Sequence, residues 1–120
     1  MFNLRPSQPA AGRIAAQDAV SRSISGDLVI IDVREAQEVA ASGRAAGALH
    51  VPLTMLQRKC DPASADCVEG LTCDRPVAIY CASGGRSQMA AQMLRSMGYD
   101  EVYNIGGLGD WVAAGGTVTR

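Results

Sequence analysis

The chain has 120 residues, a formal net charge of −1, and 48% hydrophobic but only 4% aromatic residues. This length predicts one domain over residues 1–120, with its core between about 14 and 118, burying roughly two-thirds of its unfolded surface. The near-neutral balance without a basic stripe argues against a nucleic-acid partner, and no apolar stretch reaches the ~20 residues needed to span a bilayer.

In chain order, Met1-Phe2-Asn3-Leu4-Arg5-Pro6 lacks the apolar segment of a secretory signal, so a cytoplasmic location is expected. Ala15 to Ile24 reads as a short amphipathic helix that stops near Gly26. Leu28-Val29-Ile30-Ile31 is a continuous β-branched run, the pattern of a strand buried on both faces. Asp32-Val33-Arg34-Glu35 ends it, and Ala36 to Ala41 is weakly helical before Gly43. Ala48-Leu49-His50-Val51 is extended, and Thr54 is expected to cap a brief helix from Met55 to Lys59. Cys60 to Arg75 is polar with no period. A strand from Pro76 to Tyr80, a helix from Ser87 to Met97, a strand at Val102-Tyr103-Asn104 and a helix from Leu108 to Ala113 complete the chain. Alternating strands and helices predict an α/β fold with a mostly parallel sheet and helices on both faces. In such sheets sites form beyond the carboxyl ends of the strands.

Cys81 falls at such an end. It closes an apolar strand and opens the loop Ala82-Ser83-Gly84-Gly85-Arg86, with a helical pattern immediately after. Exposed amides and the helix dipole favour a thiolate, the nucleophilic form of a group that otherwise titrates near pH ~8.5. Gly84 and Gly85 let successive N–H groups point inward as an anion nest, and Arg86 either adds positive charge or braces the loop. A buried structural cysteine is the plain alternative for Cys81, but the Gly-Gly-Arg-Ser that follows argues against it.

Asp32-Val33-Arg34-Glu35, Glu38, Gly43, Gly47-Ala48-Leu49-His50-Val51-Pro52, the Cys81 to Ser87 loop, Gly98-Tyr99, and Gly106-Gly107 before Trp111 together resemble the rhodanese family of single-domain sulfurtransferases. The resemblance runs from about Ile14 to Val118. It implies a five-stranded rhodanese-like domain in which Cys81 carries a sulfane sulfur as a persulfide. The sulfur would come from thiosulfate or a related small donor and pass to cyanide, a thiol or an acceptor protein. It also implies that the amides from Ala82 to Arg86 hold the transferred sulfur, with no cofactor and no metal. Asp32 and Arg34 are expected to brace the domain, Glu38 to be structural or at the surface, and His50 to be structural. Trp111 and the methionines of the 87–97 segment are expected in the core.

Two alternatives accompany this reading. One is a non-catalytic module that binds an anion or delivers sulfur to one dedicated partner. The other is a phosphatase or arsenate reductase of the same fold, which resembles this chain but uses a Cys-x5-Arg loop. Cys81-x4-Arg86 is one residue shorter, and Tyr80 rather than a histidine precedes the cysteine. Cys60, Cys67 and Cys73 are open to three readings: unpaired thiols, a loop disulfide, or a metal or persulfide-resolving role. Their spacings lack the paired Cys-x2-Cys knuckle.

Overall fold

The protein is described by a computed structural model covering residues 12–120; Met1 to Pro6, read above for a secretory signal, lies outside them. The elements in order are β1 (Gly12–Arg13), α1 (Ala16–Ile24), β2 (Val29–Asp32), α2 (Ala36–Ser42), β3 (Arg44–Ala45) and β4 (Leu49–His50). A 3-10 turn (Leu53–Met55) leads into α3 (Leu56–Cys60), followed by β5 (Val77–Cys81), α4 (Gly85–Ser96), β6 (Val102–Gly107), α5 (Leu108–Ala113) and β7 (Val118–Thr119).

β5 is the central strand because all five of its residues can be buried, which suits the continuous apolar run Val-Ala-Ile-Tyr-Cys. The five-stranded sheet has the order β1-β6-β5-β2-β4, and every pairing in it is parallel. Helices cover both faces. On one side α3 and α4 supply Leu56, Ala90, Ala91 and Leu94 against Ile31, Ile79 and Cys81. On the other, α1 and α5 supply Ala19, Val20 and Trp111 against Ile30, Ala78 and Tyr80. The parallel register carries the ends of β2, β4, β5 and β6 to the same edge, where Cys81 emerges between the β2 and β6 ends. No helix among the described residues is long and apolar enough to cross a membrane.

Several details differ from the sequence reading. β1, β3 and β7 are two-residue ladders, too short to show a period, and β3 pairs antiparallel with β7 in a small second sheet. β6 runs on to Gly107 because Gly106 and Gly107 pair with Tyr80 and Cys81. The Thr54 cap does not form: Pro52 precedes the 3-10 turn and neither that turn nor α3 has a side-chain cap bond. Trp111 is in the core, but Met89 is 56% exposed. The inward stripe of α4 is instead Ser87, Ala90, Ala91 and Leu94, with Met93 and Met97 packing at its margin.

Below the Cys81 edge lies a buried polar brace. Asp32 Oδ1 accepts from the Arg34 amide (2.9 Å) and Nε (3.1 Å), and Oδ2 accepts from Arg34 Nη2 (2.8 Å) and the Tyr80 hydroxyl (2.5 Å). Tyr80 in turn accepts from the Ala45 amide at 2.9 Å. Arg34 reaches Ser42 Oγ (2.8 Å) and the Gly43 carbonyl (2.5 Å), so one ion pair ties β2 to the C-terminal end of α2. His50 donates from Nε2 to the Arg34 carbonyl at 2.8 Å, which fixes its tautomer and gives it a bracing part.

Candidate active site

Cys81 ends β5, and its Sγ lies at the N-terminus of the twelve-residue helix α4. The chain can turn that sharply because Gly84 adopts φ +112°, a left-handed conformation that costs a residue with a Cβ. The turn brings the Gly84 amide to 2.9 Å from Sγ and the Ser87 hydroxyl to 3.4 Å. Burial, which leaves Cys81 only 1% exposed, pushes the thiol pKa up. Hydrogen bonds from the Ser87 hydroxyl and amide and from the Gly84 and Ser83 amides outweigh it, so the net direction is down. A thiol biased towards its ionised form therefore sits among donors that are mainly backbone amides.

Ala82, Ser83 and Gly85 form the exposed rim of the loop, with Gly84 and Arg86 half-buried. None of the four residues between Cys81 and Arg86 carries a charge. The Arg86 guanidinium turns towards α2, where Nη1 and Nη2 donate to Glu38 Oε1 (2.7 Å) and Oε2 (2.9 Å). Glu38 Oε1 also accepts the Glu35 amide at 2.9 Å, closing the N-terminal capping box of α2. Of the two parts the sequence left open for Arg86, its side chain takes the brace.

That brace is pH-dependent. The Arg86 and Glu35 hydrogen bonds hold the Glu38 carboxyl at about 2, against an ordinary 4.5. A carboxyl depressed on folding adds stability above its unfolded value and loses it as pH falls through its folded value. Stability should therefore fall more between pH 4.5 and pH 2 in the wild type than in Glu38→Gln, measured by urea unfolding at each pH. Equal losses in the two proteins would contradict the brace.

The opposite wall is the β6–α5 junction. A Cβ on Gly107 would lie 2.3 Å from the Ala82 carbonyl oxygen and 3.0 Å from its carbon, so glycine is required by backbone approach. Gly107→Ala should push the loop off Sγ and slow Cys81 alkylation on the order of 10²-fold, the scale on which small misplacements act. An unchanged alkylation rate would show that the loop tolerates the shift.

Ser87 and Asn104 join the site although the sequence reading placed neither in it. Ser87 sits on the buried stripe of α4, and Asn104 is 3% exposed in the otherwise apolar β6. A polar residue at a core position was the available signal in both cases.

Cys60, Cys67, Cys73 and Cys81 are all free thiols. Burial pushes the Cys60 thiol up to about 12, and burial followed by the charge of Asp100 also raises that of Cys73. The Cys73 carbonyl accepts the Asp100 amide just before β6, so Cys73 lies by the start of that strand while Cys81 lies at the far end of β5. β5 alone accounts for about 13 Å of that separation. Among the described residues, no group of three or more His, Cys, Asp or Glu is placed to hold a metal ion.

An amide-lined cysteine between a central parallel strand and a helix defines a phosphatase-like or rhodanese-like cradle, and comparison with known proteins resolves the family. The model of the rhodanese-like domain matches residues 15–114, and the chain belongs to that family. It is 38% identical over 88 residues to thiosulfate sulfurtransferase GlpE of Coxiella burnetii, covering 72% of this chain and 74% of that protein. It is 37% identical over 83 residues to the uncharacterized protein YqhL of Bacillus subtilis, covering 68% of this chain but only 59% of that one. Among solved structures, a Rhodopseudomonas palustris protein of unknown function, described as a possible tyrosine phosphatase, superposes with TM-score 0.82 at 29% identity over 99% of both chains. The human single-domain sulfurtransferase superposes with TM-score 0.73 at 28% identity, covering 84% of this chain and 95% of that one.

Proposed function

We propose that the protein is a sulfurtransferase that carries a sulfane sulfur on Cys81. The observation that supports this most is the position of Sγ, 2.9 Å from the Gly84 amide at the start of α4, with a pKa shifted down. The thiolate attacks the outer sulfur of thiosulfate or a persulfide. The donor's S–S bond breaks, its electron pair leaves with sulfite or a thiolate, and a Cys81 persulfide forms. The negative charge then rests on the outer sulfur, towards the amides from Ala82 to Arg86. Cyanide or an acceptor thiol, free or on a protein, attacks that sulfur, the Sγ–S bond breaks, and the Cys81 thiolate returns. Donor and acceptor account for every electron pair, so the cycle calls for no cofactor. It does call for a compartment that keeps thiols reduced, such as the cytosol.

The sulfurtransferase descriptions of the Coxiella and human relatives support the same reading. The phosphatase description of the Rhodopseudomonas relative carries over less well to this chain. Recognition of a phosphate dianion uses an arginine fork facing the pocket, whereas both Nη atoms of Arg86 face Glu38.

The test is turnover. With thiosulfate and cyanide, the protein should release many equivalents of thiocyanate per chain. Release of one equivalent only would assign it instead as a dedicated carrier. Hydrolysis of an aryl phosphate dependent on Cys81, without thiocyanate formation, would replace the sulfurtransferase reading by a phosphatase.

A further inference from the structure

Asn104 makes four hydrogen bonds beside the nucleophile. Its Oδ1 accepts from the Ser87 hydroxyl (2.7 Å) and the Gly106 amide (2.9 Å). Its Nδ2 donates to the Gly84 carbonyl (3.1 Å) and to Gln88 Oε1 (3.1 Å). These bonds fix the amide's orientation, because a flipped group would set its NH2 against the Gly106 N–H. One buried side chain thus joins β6 to the cradle loop and to the first turn of α4.

The Ser87 hydroxyl has more acceptors than protons. Within reach are Asn104 Oδ1 (2.7 Å), the Gly84 carbonyl (3.2 Å), Cys81 Sγ (3.4 Å) and the Gly106 carbonyl (3.4 Å). It has a single proton to give. Asn104 is the nearest acceptor, and Sγ becomes the stronger one only when it is ionised.

We propose that Asn104 is a positioning residue for Cys81: its Oδ1 competes with Sγ for the Ser87 proton, while its Nδ2 holds the Gly84 carbonyl and so keeps the Gly84 amide aimed at the sulfur. With a neutral thiol the Ser87 proton rests on Asn104; with a thiolate it turns to Sγ. On the sulfur-carrier reading above, loading moves the charge to the outer sulfur and the proton swings back to Asn104. Asn104 thereby gives the hydroxyl a second resting place and lets the cradle serve the empty and the loaded cysteine without rebuilding. The charged groups on the surrounding elements are Arg13 of β1, in register with Asn104, Arg86 of α4, Glu35 and Glu38 at the start of α2, Asp32 and Arg34 at the end of β2, and Asp110 of α5. None of them bonds Asn104.

Asn104→Asp tests this with a side chain of the same shape. It keeps the acceptor for Ser87, strengthens its hold on the proton, and sets an oxygen against the Gly84 carbonyl. The readout is the pH profile of Cys81 alkylation by iodoacetamide, mapped to that residue by mass spectrometry. It needs no sulfur donor or acceptor and so stands apart from the transfer reading. The midpoint should rise by at least about one pH unit, which lowers the rate about tenfold at pH values below the wild-type midpoint. Repeated in Ser87→Ala, the same substitution should lose at least half of its effect, because the proton in competition is gone. An unmoved midpoint in Asn104→Asp, or the same shift with and without Ser87, would overturn the proposal. Should Asn104→Asp fail to fold, the wild type answers the question by NMR. The Asn104 side-chain amide resonances should titrate with the Cys81 alkylation midpoint and stop doing so in Ser87→Ala; resonances that ignore pH, or titrate equally in Ser87→Ala, would overturn it.

Discussion

Replacing Cys81 by serine should lower thiocyanate formation from thiosulfate and cyanide by at least about 10³-fold, the scale on which loss of a covalent nucleophile acts. The expected loss is chemical rather than structural. Serine nearly matches cysteine in shape, and its hydroxyl meets the same donors, the Gly84 amide and the Ser87 hydroxyl. What it lacks is an accessible anion: these hydrogen bonds lower the pKa of a thiol but leave an alcohol protonated. Thermal unfolding should therefore stay close to the wild type while transfer disappears. A Cys81→Ser variant that retains a tenth of the wild-type rate would mean that another residue carries the sulfur.

The largest expected effect on stability lies at Asp32. Asp32 is fully buried and Arg34 nearly so, and the carboxylate accepts from the Arg34 amide, the guanidinium and the Tyr80 hydroxyl. Removing one partner of a buried pair leaves the other charge uncompensated and costs about 3–5 kcal/mol. Against the ~5–15 kcal/mol that holds a domain together, Asp32→Ala should unfold at a markedly lower denaturant concentration than the wild type. Chemical denaturation monitored through the single buried Trp111 measures this. A loss below about 1 kcal/mol would show that Arg34 finds water or another anion when Asp32 is removed.

The main frame was legible in the sequence because its signals are local. β2 and β5 are continuous apolar runs, and the glycine pair after Cys81 announces a turn into a helix. The strand–helix alternation was enough to imply the parallel sheet. What escaped depends on partners distant in sequence. The Arg86–Glu38 brace joins residues 48 positions apart, so nothing near Arg86 announced which way its side chain would turn. Asn104 and Ser87 are 17 positions apart, and each looks ordinary until the β6–α4 packing brings them together. Met89 was misplaced for the opposite reason: the 3.6-residue period admits two neighbouring stripes, and the smaller residues Ala90 and Ala91 won the close contact with the sheet. β1, β3 and β7 carry no pattern, since two residues are too few to show a period.

The most direct test of the account is to locate the sulfur. The protein is exposed to thiosulfate, freed of excess donor and analysed by intact and peptide-mapping mass spectrometry, before and after cyanide. The account predicts a gain of one sulfur atom's mass, carried by the peptide containing Cys81 and removed by cyanide, with Cys60, Cys67 and Cys73 unmodified. Sulfur found on one of those three cysteines instead, or no gain on Cys81 with either thiosulfate or a persulfide donor, would contradict it.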